Sequence, residues 1–96
     1  MPLWAIVERK SAQEVLDAAP IQVRKKYEVW KYVVSVSGPG GLQAVRGFRD
    51  EALHGKWDGY RSSRLNEQYR VIYSASAKEL TIYVKRVTPH DYRTKQ

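Results

Sequence analysis

Ser37-Gly38-Pro39-Gly40-Gly41 divides this chain into two stretches with different hydrophobic periods. Upstream, Val23, Tyr27, Trp30 and Val34 recur at the three-to-four spacing of one helical face, while Arg24, Lys25, Glu28 and Lys31 fall elsewhere around the helix. Downstream the period drops to two, the repeat of a strand. The cluster itself reads as a helix stop and a flexible loop, because glycine takes the left-handed backbone that ends helices and proline cannot continue one. No Gly-Lys-Ser/Thr follows it, so it is not a phosphate-binding loop of the nucleotide-triphosphatase kind.

Working outward from the cluster, Trp4-Ala5-Ile6-Val7 has the aromatic and β-branched content of a short strand, stopped by Glu8-Arg9-Lys10. Ser11 and Glu14 have the spacing of a capping box and predict a helix starting at Ser11. Ala18-Ala19-Pro20 interrupts that helix, and Pro20 suits the first position of a second one, where its missing N–H costs nothing. The two helices form a hairpin. On the other side, residues 59–65, 69–75 and 80–87 predict three strands, and connections as short as Asn66-Glu67-Gln68 make them an antiparallel meander. Alternation puts Tyr69, Val71 and Tyr73 on one face and Arg70, Ile72 and Ser74 on the other; Leu80, Ile82 and Val84 likewise oppose Thr81, Tyr83 and Lys85. One face packs on the helices and the other is polar. The fold class is therefore α+β, with two N-terminal helices on a small twisted antiparallel sheet.

With 96 residues there is room for one core, so residues 1–96 are expected to form a single domain. Seventeen Lys and Arg against 10 Asp and Glu give a formal charge of +7, which on a folded surface suits a polyanion. The absence of cysteine excludes a disulfide framework, a thiolate nucleophile and a Cys-based zinc site, and two histidines are too few for a His cluster. No cofactor or metal is expected. No apolar run approaches the roughly 20 residues of a membrane span, and Met1-Pro2-Leu3-Trp4 lacks the features of a signal peptide, so a soluble, cytoplasmic protein is expected.

The residues suited to chemistry run from Asp50 to Tyr92. Arg61, Arg64 and Arg70 fall on adjacent predicted strands. Arginine on a solvated sheet face is an ordinary surface residue, but guanidinium forks on a rigid sheet also match the oxygens of a phosphate, and Arg70 lies inside an otherwise apolar strand. Glu51 and His54 precede these strands, and His90 and Tyr92 follow them. A base, a cationic sheet and an acid in that order suit RNA cleavage by the 2′-hydroxyl: the base takes the hydroxyl proton, arginines stabilise the dianionic phosphorane, and the acid protonates the departing 5′-oxygen.

Glu51-x-Leu53-x-Gly55-x-x-x-Gly59-x-x-Ser62-x-Arg64-Leu65, then Tyr69-Arg70-Val71-Ile72-Tyr73, then Pro89-His90-Asp91-Tyr92 resembles, in order and separation, the RelE/ParE superfamily of bacterial type II toxins, and within it the mRNA interferases of the RelE, YoeB and HigB kind. The motifs cover about the last half of the chain. The resemblance implies a RelE-like fold and a ribosome-dependent endoribonuclease that cuts mRNA in the ribosomal A site without a metal. By position, Glu51 looks like the general base, with His54 as its competitor. Arg70 looks like the arginine that holds the scissile phosphate, Arg64 like a second phosphate contact, His90 like the general acid, and Tyr92 like the aromatic that orients the substrate. Arg61, Lys56 and the helix residues Arg24, Lys25 and Lys31 would be RNA contacts, the last three a ribosomal footprint or simply a solvated helix face. The implied partners are a cognate antitoxin with an acidic, partly disordered segment, the ribosome and mRNA, and, for the toxin–antitoxin complex, operator DNA. A ParE-like inhibitor of DNA gyrase and a non-catalytic RNA-binding module are the alternative readings.

Overall fold

Trp30 is where the two layers of the molecule close on each other. Its ring is fully buried, stacks on Tyr27 at 5.5 Å between centroids, and meets Tyr73 of the sheet edge-on at 5.4 Å. The structure, a computed structural model, describes residues 3–89. In chain order it has β1 (Ala5–Glu8), α1 (Lys10–Asp17), α2 (Ile21–Ser37), α3 (Pro39–Ala44), β2 (Glu51–Ala52), β3 (Arg61–Arg64), β4 (Arg70–Ser76) and β5 (Thr81–Thr88), with single 3-10 turns at Arg46–Phe48 and Gly55–Trp57. The helical layer covers one face of a five-stranded sheet of order β1-β5-β4-β3-β2. Val23, Trp30 and Val34 of α2 pack against Val71 and Tyr73 of β4 and Ile82, Val84 and Val87 of β5 in one core cluster.

The α+β class and the helix pair are as the sequence predicts, and β2 to β5 are antiparallel. The sheet departs from the antiparallel expectation at one edge, where β1 runs parallel to β5, pairing Ile6 with Ile82. Three helices and the strands β2 to β4 lie between the two in sequence, so the chain has the length that a parallel return requires. The capping box at Ser11 is not made. The helix begins at Lys10, with Arg9 as its cap residue and no side-chain cap bond. The Arg9 N–H donates to the Val84 carbonyl at 3.2 Å, so the strand pairing fixes where the helix starts. Pro20 stands just before the first turn of α2.

The glycine cluster does stop α2, but it is not a flexible loop. Gly38 has φ of +71°, its N–H closes the helix on the Val34 carbonyl at 2.8 Å, and a Cβ there would lie 2.7 Å from the Trp4 ring. The chain then enters α3, which buries Leu42 in the core. The Asn66-Glu67-Gln68 turn is set by the Asn66 side chain, whose Oδ1 accepts from the N–H groups of Gln68 (2.8 Å) and Tyr69 (2.7 Å).

The last strand carries a register shift. Ile72 pairs with Arg86, yet Tyr73 pairs with Val84, leaving Lys85 as the extra residue of a bulge. The shift keeps both Val84 and Val87 in the core and turns Arg86 to the face away from the helices. No described helix is long and apolar enough to cross a membrane.

Candidate functional site

Asp50 organises the approach to the site. Its carboxylate is fully buried and accepts from Arg61 Nε (2.6 Å), Ser63 Oγ (2.6 Å) and Tyr73 OH (2.5 Å). Burial, and then the hydrogen bond to Asp50, raise the Tyr73 hydroxyl well above the ordinary phenol value. Burial works against the Arg61 charge, but Asp50 outweighs it and holds the guanidinium above its ordinary value. All three donors belong to the helix-facing side of the sheet, where Arg61 pairs with Tyr73 and Ser63 with Val71. The residue after Asp50 therefore turns the other way, by strand alternation.

That residue is Glu51. On the face turned away from the helices it opens a row that crosses the sheet through Ser62 and Ile72 to Arg86. The neighbouring row is Arg64, Arg70 and Thr88. The strand spacing and rise put the Cα atoms of Glu51 and Arg70 roughly 12 Å apart, a gap their two side chains can span around one phosphodiester. Arg64, Arg70 and Arg86 thus share a face with a single carboxylate of β2.

This face is less open than a polar sheet surface. Arg70 is only 5% exposed, Ser62 3% and Ile72 0%. The hairpin between β2 and β3 folds over it: the Trp57 ring lies 5.4 Å from the Arg86 guanidinium and meets Tyr60 edge-on, also at 5.4 Å. Positive φ at Gly55 and Gly59 gives the backbone that bend. Arg64 has an ion pair to Glu67 at 3.9 Å, and its buried Nε has no hydrogen-bond partner among the described residues.

The structure thus brings together Glu51, Arg64 and Arg70 of the residues singled out from the sequence. His54 and Lys56 are exposed on the covering hairpin. Arg61 is on the opposite face, tied to Asp50. Arg24 and Lys25 are exposed on α2, on the helical side of the molecule, and Lys31 is ion-paired to Glu28 (3.3 Å) and Glu8 (3.9 Å). His90 and Tyr92 lie outside the described residues. The sequence reading missed Arg86, because strict alternation assigns it to the core face with Val84. The clue was the Val84-Lys85-Arg86-Val87 spacing itself, two apolar residues three apart in a strand of period two. It also missed the Asp50 anchor and the Trp57 tether.

Chemically, a carboxylate facing three guanidinium groups can bind a phosphodiester, neutralise added charge on it and accept a proton beside it. The fold that carries this face is shared with chains of solved toxin–antitoxin complexes. The structure of the YoeB dimer from Staphylococcus aureus matches with a TM-score of 0.73 at 20% identity, over 92% of this chain and 98% of that one. A chain of the archaeal RelE–RelB complex from Pyrococcus horikoshii OT3 matches at 0.71 and 21% identity, over 97% and 98%. A chain of the E. coli DinJ–YafQ toxin–antitoxin complex matches at 0.69 and 17%, over 88% and 90%. At these identities the shared property is the fold. No protein-family model matches the sequence, and no curated protein is significantly similar to it.

Proposed function

We propose that this protein is the toxin of a type II toxin–antitoxin pair and acts as a metal-independent endoribonuclease on mRNA in the ribosomal A site. The observation that carries the reading is the cross-strand grouping of Arg64, Arg70 and Arg86 with Glu51 on one face of a toxin-like sheet. In this scheme Glu51, or His54 in its place, removes the 2′-hydroxyl proton. The 2′-oxygen attacks phosphorus, and the bond to the 5′-oxygen breaks. His90 returns a proton to that oxygen, and Tyr92 orients the substrate. The products are a 2′,3′-cyclic phosphate and a free 5′-hydroxyl, with the arginines balancing the charge of the phosphorane. One domain spanning residues 1–96 carries this chemistry in the cytoplasm.

The cognate antitoxin supplies an acidic, partly disordered segment that complements the +7 charge, and the complex of the two binds operator DNA. Helix α2 offers that segment an apolar surface. Ile21, Val29, Tyr32 and Val36 are exposed and fall within an arc of about 80° at 100° per residue, opposite the core-facing Val23, Tyr27, Trp30 and Val34. Lys25 lies in the same arc.

The test is primer extension on cellular mRNA after brief induction. Arg70 is buried, so truncation to alanine would mix catalytic loss with unfolding; Arg70→Lys keeps the charge and the stem but loses the planar fork. Arg70→Lys and Glu51→Gln should each lower cleavage at least a hundredfold, with an unchanged unfolding midpoint for Glu51→Gln. DNA damage without mRNA cuts by the unaltered protein would instead identify a gyrase poison. Full cleavage by Glu51→Gln would pass the base role to His54, and full cleavage by Arg70→Lys would sink the mechanism.

A further inference from the structure

Next to the arginine rows, the same sheet face holds a cavity of about 340 Å³ lined by Val7, Arg9, Tyr60, Ser74, Tyr83 and Lys85, among others. The register explains it. Ser74 of β4 pairs with Tyr83 of β5, and Tyr83 with Val7 of β1; Tyr60, just before the Arg61 that pairs with Tyr73, stands on the other side of Ser74. Two tyrosines on strands either side of a small residue have Cα atoms about 10 Å apart, with only the short hydroxymethyl side chain of Ser74 between them. That leaves a slot for one planar ring in contact with both. The rings are held from outside the slot: Tyr83 OH donates to Glu79, and the Tyr60 ring is set edge-on against Trp57 at 88°. Ser74 offers a hydroxyl at the floor, and Arg9 and Lys85 offer cations at the rim; the one carboxylate of the lining, Glu8, accepts from Gln13 and Tyr27. Tyr83 remains 40% exposed, an aromatic surface that the core does not use.

We propose that this slot binds the base of a nucleotide adjacent to the cleaved phosphodiester, a reading that rests on the ribonuclease function above. Ser74 is one two-residue step along β4 from Ile72, which pairs with Arg86, so the slot is about 7 Å from the phosphate-binding row, close to the length of one nucleotide in an extended strand. Stacking between aromatic rings with a hydroxyl below and cations at the rim is how single-stranded nucleic acid is held, and stacking strength favours the larger ring system. The slot therefore favours a purine at one fixed position beside the cut.

The experiment maps new 5′-hydroxyl ends across the mRNA of cells expressing the full chain or its Tyr83→Ala, Ser74→Leu, Tyr83→Phe and Arg70→Lys variants, with unfolding midpoints measured for each. The unaltered protein should show a purine excess at one position beside its cuts. Tyr83→Ala removes a wall and Ser74→Leu fills the slot; both should abolish the excess and slow cutting about tenfold. Tyr83→Phe keeps the ring but releases it from Glu79, so it should keep the purine excess and cut at a rate between those of the unaltered protein and Tyr83→Ala. If Tyr83→Ala and Ser74→Leu keep the unaltered rate and base pattern while Arg70→Lys stops cutting, the slot proposal is overturned and the ribonuclease stands. Lost antitoxin affinity in Ser74→Leu with an unaltered cut pattern also overturns it, by assigning the slot to a protein partner. If the unaltered protein makes no cuts, the ribonuclease reading falls and the slot proposal with it.

Discussion

Three hydrogen bonds converge on the Asp50 carboxylate, two of them from the buried side chains of Ser63 and Tyr73 and the third from the partly exposed Arg61. Removing the acceptor strands both hydroxyls and leaves Arg61 beside an apolar interior, so Asp50→Ala should cost about 3 kcal/mol. Urea unfolding measures that directly; a loss below about 1 kcal/mol would mean that water replaces the carboxylate. Because Glu51 follows Asp50 directly, the same variant should also lower the proposed mRNA cleavage beyond what the unfolded fraction explains. The two faces were legible at this scale. Arg61 and Arg64 are three apart in one strand, an odd separation that sends them to opposite faces, so Arg61 could be separated from Arg64 and Arg70 by alternation alone. The partner of Arg61 was not legible, because Asp50 lies outside β3 and reaches it only through the pairing of β2.

Helix α2 is apolar on two opposite sides, a pattern that belongs to a helix covered on both. Among the described residues only the side carrying Val23, Tyr27, Trp30 and Val34 is covered. Val29→Glu on the other side touches no core residue and should move stability by no more than about 0.5 kcal/mol. Against the acidic antitoxin segment proposed above it replaces an apolar contact with a like charge, so affinity should fall at least tenfold by calorimetry. Unaltered affinity would remove α2 from the antitoxin interface. The core-facing stripe could be read from periodicity, which also found the three long strands. What periodicity could not find were the elements made by tertiary contacts. The two-residue β2 exists only as a partner of β3, the short α3 is held by the burial of Leu42, and the bulge at Lys85 breaks the alternation that periodicity assumes. Arg86 reaches the candidate site because of that bulge, so the residue hardest to read from the sequence is placed by an irregularity of the element.

At the scale of the whole molecule, the helical and sheet layers are joined by two tyrosines whose hydroxyls end on carboxylates. Tyr27 is 3% exposed and donates to Glu8 at the end of β1; Tyr73 is 0% exposed and donates to Asp50. Their rings meet Trp30 from the helix side and from the sheet side. Burial first, and the carboxylate hydrogen bond second, raise both hydroxyls far above the ordinary phenol value. The unfolded chain loses both protons near pH 10 while the folded one keeps them. Their contribution is therefore fully present below about pH 10 and is lost as pH rises above it toward the folded values, at about 1.4 kcal/mol per pH unit for each tyrosine. Stability from guanidinium unfolding should be level in this respect at pH 8 to 9 and fall from about pH 10 upward. Tyr27→Phe and Tyr73→Phe should each remove about half of the tyrosine-dependent slope, although each also lowers stability at neutral pH by stranding a carboxylate. Ultraviolet titration of the folded protein gives an independent reading, since both phenols should ionise only as the chain unfolds. If both ionise reversibly near pH 10 in the folded state, the core is open to water at the junction of its layers, and the support that Asp50 and β4 give to the arginine face is weaker than these contacts require.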